Sequence, residues 1–218
     1  MRGVFELEGG DTVFAKMGTV PDTIAAIRQE CRVRDSVDGP FAVRVLAKDA
    51  EAAVMVLEDL SAAAWPPPWN KARLDAVAGL LGELAGTDAP RALPTLRERL
   101  KEWGEYGDLS WAEGTALVHC DVRSDNLCIH GGRAVLIDWN HAARGNPVFD
   151  GVLWAPSVQL EGGPAPWELL PAVDPRPVVY LHRYFSEHML WPPPEGAPKV
   201  RAFQRAQFEV VDKWISRL

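Results

Sequence analysis

A short apolar hairpin lies in the middle of a stretch that otherwise reads as helices, and it narrows what this chain can fold into. Leu127-Cys128-Ile129-His130 and Ala134-Val135-Leu136-Ile137 flank the pair Gly131-Gly132, two β-favouring runs joined by residues that accept a tight two-residue turn. Two strands alone are marginal in water, so this unit has to be held by its neighbours. Those neighbours carry helical spacing: Leu74, Val77, Ala78, Leu81 and Leu84; then Leu93, Leu96 and Leu100; then the stretches Val178–Trp191 and Lys199–Leu218. The beginning of the chain reads differently. Val4–Leu7 and Thr12–Met17 alternate around the turn Gly9-Gly10-Asp11, and Pro21-Asp22 opens a helix with Ile24, Ile27 and Cys31 on one face. Phe41–Leu46 and Ala53–Leu57 read as two more strands. Strands first and helices later is the α+β pattern. The proline-rich Trp65-Pro66-Pro67-Pro68-Trp69 is the best boundary signal. The expected division is therefore residues 1–60, a small antiparallel sheet with one helix, and residues 61–218, a mainly helical part that carries the hairpin.

Polar residues of a particular kind bracket the hairpin. Asp121 and Asn126 precede it five residues apart, and Asp138 follows Asn126 by twelve. Because the turn folds the strands antiparallel, Asp138 returns to the side of Asp121 and Asn126. Taken singly these are common turn and cap residues. Together they form a set that phosphoryl transfer needs: one carboxylate to orient and deprotonate an attacking hydroxyl, and an amide and a second carboxylate to hold Mg²⁺ against phosphates. The formal net charge of −7 argues against nucleic acid as a partner, since phosphate neutralisation needs a basic face. No stretch has the length and apolarity of a membrane span. Cys31, Cys120 and Cys128 cannot all pair within the chain, and the first residues carry no secretory apolar region, so reduced thiols and a cytoplasmic location are expected.

The segment His119-Cys120-Asp121-Val122-Arg123-Ser124-Asp125-Asn126, followed by the hairpin and Ile137-Asp138-Trp139, resembles the catalytic signature of protein kinases. It is more similar still to the aminoglycoside phosphotransferase family, which writes the loop His-Gly-Asp-x-x-x-x-Asn and follows it with Ile-Asp-Trp. Gly145-Asn146-Pro147-Val148-Phe149-Asp150 resembles that family's Gly-Asp-Pro-x-x-Asp. The resemblance is strong from Val118 to about Gly163 and loose elsewhere.

The resemblance implies a protein-kinase-like, two-lobed fold and an ATP-dependent phosphotransferase acting on a small-molecule hydroxyl, either an aminoglycoside-like antibiotic or a metabolite. It makes Asp121 the catalytic base and Asn126 and Asp138 the Mg²⁺ ligands. Arg123 takes a place near the transferred phosphate, with a salt bridge to Asp125 as the alternative. His119 props the loop and Asp150 holds it by hydrogen bonds. Lys16 becomes the lysine on the α- and β-phosphates, Glu30 its ion-pair partner, and Glu58, Asp59 and Leu60 the hinge that meets adenine through backbone groups. The acceptor is expected near residues 161–187. Three departures stand out. Cys120 replaces a glycine, Arg123 stands where kinases often place a lysine, and the family's first strand with its phosphate-covering loop has no counterpart before Val4. The expected sheet is thus truncated, with at most four strands and an open first edge, which would favour self-association or weak ATP binding. A pseudokinase-like nucleotide binder is the alternative function. A protein kinase ranks below both, because no Ala-Pro-Glu and no long activation segment follow Asp138.

Overall fold

The computed structural model describes residues 1–193 and 198–218. The first strands, β1 (Arg2–Glu6) and β2 (Thr12–Met17), form the expected hairpin. Helix α1 (Pro21–Val33) starts where Pro21 suits a first turn and the Thr23 hydroxyl accepts from the N–H groups of Thr19 and Val20. Strands β3 (Val45–Asp49) and β4 (Val54–Glu58) complete an antiparallel sheet of order β1-β2-β4-β3. The sheet thus has four strands, and β1 is one edge. Helix α1 buries Ile27 and Cys31 against Met55 and Leu57 of β4.

The later chain is mainly helical. Helix α2 (Lys71–Ala85) is capped by the Asn70 side chain, and α3 (Leu96–Trp103) by a reciprocal Thr95–Glu98 pair. Strand β5 (Ala116–Val118) pairs with β8 (Ala143–Gly145), and β6 (Leu127–His130) with β7 (Arg133–Leu136). Both turn glycines of the latter hairpin, Gly131 and Gly132, have positive φ, 58° and 81°, the backbone that a two-residue turn with the strands' own twist requires. Helices α4 (Val148–Leu160), α5 (Pro166–Leu169), α6 (Pro175–His188) and α7 (Val200–Ile215) follow. Among the described residues no helix is long and apolar enough to cross a membrane.

The β6–β7 hairpin is held on both faces. Leu127, Ala134 and Leu136 belong to a core with Val77, Leu80 and Leu84 of α2. Cys128 and Val135, with the opposite parity, belong to the core beneath the N-terminal sheet. Backbone hydrogen bonds extend this tie: Leu136 N–H donates to Phe41 O, Val43 N–H to Leu136 O, and Ile129 N–H to Ala64 O.

Two expectations need correction, and one helix had no counterpart among them. The run Phe41–Leu46 is not one strand of the sheet. Its first half bridges in parallel to Leu136, and the sheet strand begins only at Val45. Leu93 is buried but precedes α3, whose capping pair fixes the start at Leu96. Helix α4 was not expected. It is apolar on nearly every side and contains Pro156, so it lacks the one-sided stripe that marks a surface helix.

Candidate active site

The segment between β5 and β6 is fixed from behind. Asp150, in the first turn of α4 and 1% exposed, accepts the backbone N–H groups of His119 and Cys120, each at 2.8 Å. His119 lies fully buried with both ring nitrogens engaged, Nε2 with Ile137 O at 2.9 Å and Nδ1 accepting from Asp121 N–H at 3.2 Å. These bonds fix a neutral tautomer with the proton on Nε2. Cys120 has φ 66°, the left-handed region where a side chain costs about 1–2 kcal/mol and glycine costs nothing. That accounts physically for the glycine of the resembled motif.

Burial pushes the Asp150 carboxyl up to about 7, against its two N–H donors. Burial also pulls His119 down to about 4. Below about pH 6.5 the unfolded chain gains a proton at His119 that the folded chain refuses, so this group loses stability as pH falls from 6.5 to 4. Asp150 acts oppositely. The folded chain keeps a proton that the unfolded chain sheds near 3.8, so stability falls as pH rises from about 4 to 7. The two offset each other. His119→Gln should therefore give a urea midpoint that drops between pH 4.5 and 6.5, and Asp150→Asn one that rises. Slopes of the same sign in both variants would disprove this pairing.

In front of this support stand the polar groups. The Asn126 amide nitrogen donates to Asp121 O at 3.0 Å and to Asp121 Oδ2 at 2.7 Å. Arg123 Nε lies 3.1 Å from both Asp121 Oδ1 and Asp125 Oδ1 as an ion pair, so the anticipated Asp125 bridge is present and Asp121 shares it. Burial raises the Asp121 pKa, with Arg123 and His141 opposing it; a raised pKa makes a stronger base. Lys16, at the end of β2, forms an ion pair with Glu30 of α1 and lies 2.7 Å from Asp138 Oδ1. Burial depresses the Lys16 pKa, but the two carboxylates outweigh it and the net shift is upward. Burial also raises Asp138, and Lys16 reverses that to a net lowering. Glu30 Oε1 further accepts Trp139 N–H at 3.3 Å. The sheet, its helix and the segment after the hairpin thus meet at one ionic cluster.

The three remaining candidates, Glu58, Asp59 and Leu60, lie at the end of β4 and just after it. The Glu58 side chain accepts Arg44 N–H, and Asp59 accepts from Thr12 and Ser61. Their carboxylates are engaged within the protein, and so are the Glu58 N–H, which donates to Arg44 O at 3.0 Å, and Leu60 O, which accepts from Ala63 N–H at 2.9 Å.

Asn126 Oδ1 and Asp138 Oδ2 have no protein hydrogen-bond partner among the described residues. Both are hard oxygen donors and fit Mg²⁺, which takes one or two carboxylates and fills its shell from phosphates and water. Among the described residues no group of three or more His, Cys, Asp or Glu could hold a metal by itself.

Three cavities run in series through this cluster. A mainly apolar slot of about 200 Å³ lies between Val4, Phe14, Val43, Leu57 and Ile137, with Trp65 at its side. A cavity of about 310 Å³ follows, lined by Arg2, Glu30 and Asn140 among others, and Lys16 and Asp138 belong to both. A third, of about 240 Å³, shares Asp121, Arg123 and His141 with the second. Its far wall comes from α6 and α7 rather than from the whole expected region 161–187. Sequence reasoning missed Trp65, His141 and α7. Trp65 reads as part of a linker, and no motif marks the other two.

The sequence matches the phosphotransferase enzyme family over residues 32–168. No curated protein matches the chain. Solved structures share the fold. The choline kinase LicA from Streptococcus pneumoniae is 12% identical with a TM-score of 0.69, covering 100% of this chain and 90% of its own. A choline/ethanolamine kinase family protein from Mesorhizobium loti is 17% identical with a TM-score of 0.60, covering 99% and 88%. A thermostable mutant of aminoglycoside phosphotransferase APH(4)-Ia, in ternary complex with ADP and hygromycin B, is 16% identical with a TM-score of 0.64, covering 98% and 88%. The fold is protein-kinase-like, as the motif resemblance implied.

Proposed function

The chain belongs to the phosphotransferase enzyme family, and from that membership we propose that it transfers the γ-phosphate of ATP to a hydroxyl of a small molecule. The observation that carries this reading is the line of three cavities, joined first by Lys16 and Asp138 and then by Asp121 and Arg123. Adenine takes the apolar slot and meets the backbone of Glu58, Asp59 and Leu60. The phosphates take the middle cavity, where Lys16, held by Glu30, contacts the α- and β-phosphates. The acceptor takes the third. Residues 1–60 and 61–218 act as the two lobes that supply the slot's roof and floor.

Asp121 removes the proton of the acceptor hydroxyl as its oxygen bonds to the γ-phosphorus, and ADP departs as the old P–O bond breaks. The Arg123 guanidinium faces the charge on the transferred group. Asn126 and Asp138 would hold Mg²⁺, which when bound neutralises phosphate charge. Nucleotide complexes of structural neighbours, with AMP for LicA and ADP for the APH(4)-Ia mutant, support the nucleotide part of this reading.

The test is ATP-dependent ADP release against a set of hydroxyl compounds, with calorimetry for MgATP binding. Asp138→Asn should raise the Mg²⁺ concentration needed for half-maximal activity about tenfold or more, because the ligand oxygen loses its charge. Equal midpoints in parent and variant would remove Asp138 from the ligand set. If ATP does not bind and no compound stimulates ADP release, the function fails.

A further inference from the structure

Strand β1 has one free side. It pairs with β2 on the other, and among the described residues no strand lies beyond it. Antiparallel neighbours alternate between residues that exchange backbone hydrogen bonds and residues that do not. Met17 N–H donates to Met1 O and Leu7 N–H to Asp11 O, each at 2.8 Å. Gly3 opposite Ala15 and Phe5 opposite Val13 have the same parity, so the odd residues direct their backbone groups at β2. The N–H and C=O groups of Arg2, Val4 and Glu6 therefore point to the open side. Such an edge is a template for another strand.

The side chains of this edge are complementary to themselves. Turned about a two-fold axis at Val4, the strand meets a copy of itself antiparallel, with Arg2 opposite the partner's Glu6, Gly3 opposite the partner's Phe5 and Met1 opposite the partner's Leu7. Every outward-directed residue then faces another outward-directed one, as a ladder of backbone bonds requires. Directly opposed side chains share a face, where opposite charges attract and like charges repel. Arg2 and Glu6 thus form an ion pair at each end, and each Phe5 ring covers a glycine that has no side chain of its own. Met1, Val4, Phe5 and Leu7 are 65%, 47%, 48% and 49% exposed, and each gains an apolar or glycine neighbour. Other registers are poorer. A parallel pair in register sets like charge against like charge. Moving the antiparallel axis to Gly3 leaves Glu6 with nothing opposite it, and moving it to Phe5 puts Val4 against a carboxylate and takes Arg2 to Glu8, which lies in the turn.

We propose that β1 joins two copies of this chain through its open side, as one continuous antiparallel sheet with four strands from each copy and a two-fold axis at Val4. Val4 lines the apolar slot, and the partner's Val4 comes beside it on the same face of the sheet. Arg2 lines the second cavity, so its ion pair with the partner's Glu6 forms next to that cavity. The contact is a property of the edge and holds whatever reaction the chain carries out.

The experiment is sedimentation velocity on the whole chain from about 1 to 300 μM, the range in which a small interface fills, with a urea midpoint for each variant to show that it folds. The parent should pass from monomer to dimer within that range. Val4→Pro removes the N–H donors at the axis, and proline is tolerated on an edge strand; the dimer should weaken about tenfold or more. Glu6→Arg sets two like charges opposite each other and should also weaken it about tenfold. Adding Arg2→Glu to Glu6→Arg restores opposite charges in the reverse order, and the dimer should return to within about threefold of the parent. A general disturbance of the strand would not be repaired by that second change. If Val4→Pro does not fold, the charge exchange alone decides. A chain that stays monomeric at every concentration, a dimer that both single variants leave within about twofold, or a charge exchange that fails to restore it would each overturn the proposal.

Discussion

Asp121→Ala is expected to lower acceptor-dependent ADP release by about 10²–10⁴-fold, the range that a positioned general base supplies. The side chain sits where the second and third cavities share a wall, so it can reach an acceptor hydroxyl and the group being transferred together. Its pKa is raised mainly by burial, and its orientation is fixed by Asn126 at 2.7 Å and Arg123 at 3.1 Å. None of those contacts is to the apolar slot proposed for adenine, so MgATP affinity should stay within about threefold, well under one tenfold step of 1.4 kcal/mol. Asp121→Asn adds a control that keeps the shape and removes the basicity. If it turns over within threefold of the parent on the same acceptor, the base is another group.

Asp150→Ala should be among the most damaging single changes to the fold. It strands the N–H groups of His119 and Cys120 in a site where Asp150 is 1% exposed. Each buried donor left without a partner costs about 1–3 kcal/mol, so the expected loss is about 2–6 kcal/mol, read as a fall in unfolding free energy by urea titration. Because those two residues lead directly into Asp121, turnover should fall as well, even where the variant is folded. Asp150→Asn keeps one acceptor oxygen and should lose about half as much. A loss under 1 kcal/mol for the alanine variant would mean that the two N–H groups find other partners.

The parts of this molecule that were legible in the sequence are those fixed by local chemistry. The Gly131-Gly132 turn sets the hairpin, and the hairpin returns Asp138 toward Asn126, whose backbone carbonyl accepts Ile137 N–H at 2.9 Å. Strand β2 was readable to the residue from its alternation, and Lys16 and Glu30 meet as the family resemblance, rather than the local pattern, implied. What escaped depends on tertiary contact. Phe41–Val43 looks like sheet because it is apolar, but its partner is Leu136, ninety-odd residues away. Helix α4 is enclosed on all sides and so shows no face. The wall of the third cavity draws on α3, α6 and α7, and nothing in the local pattern of Gln207 separates it from the other polar residues of its helix.

The alternation of the β6–β7 hairpin has a thermodynamic consequence. Leu127 and Leu136 are anchored in one core, Cys128 and Val135 in the other, so neither core can melt without stripping one face of the same ribbon. A domain boundary normally lets each side unfold at its own temperature. Here that independence is forfeited, and heat should meet one cooperative unit. The strands that bring Asp138 back toward Asn126 thereby set the size of the folding unit.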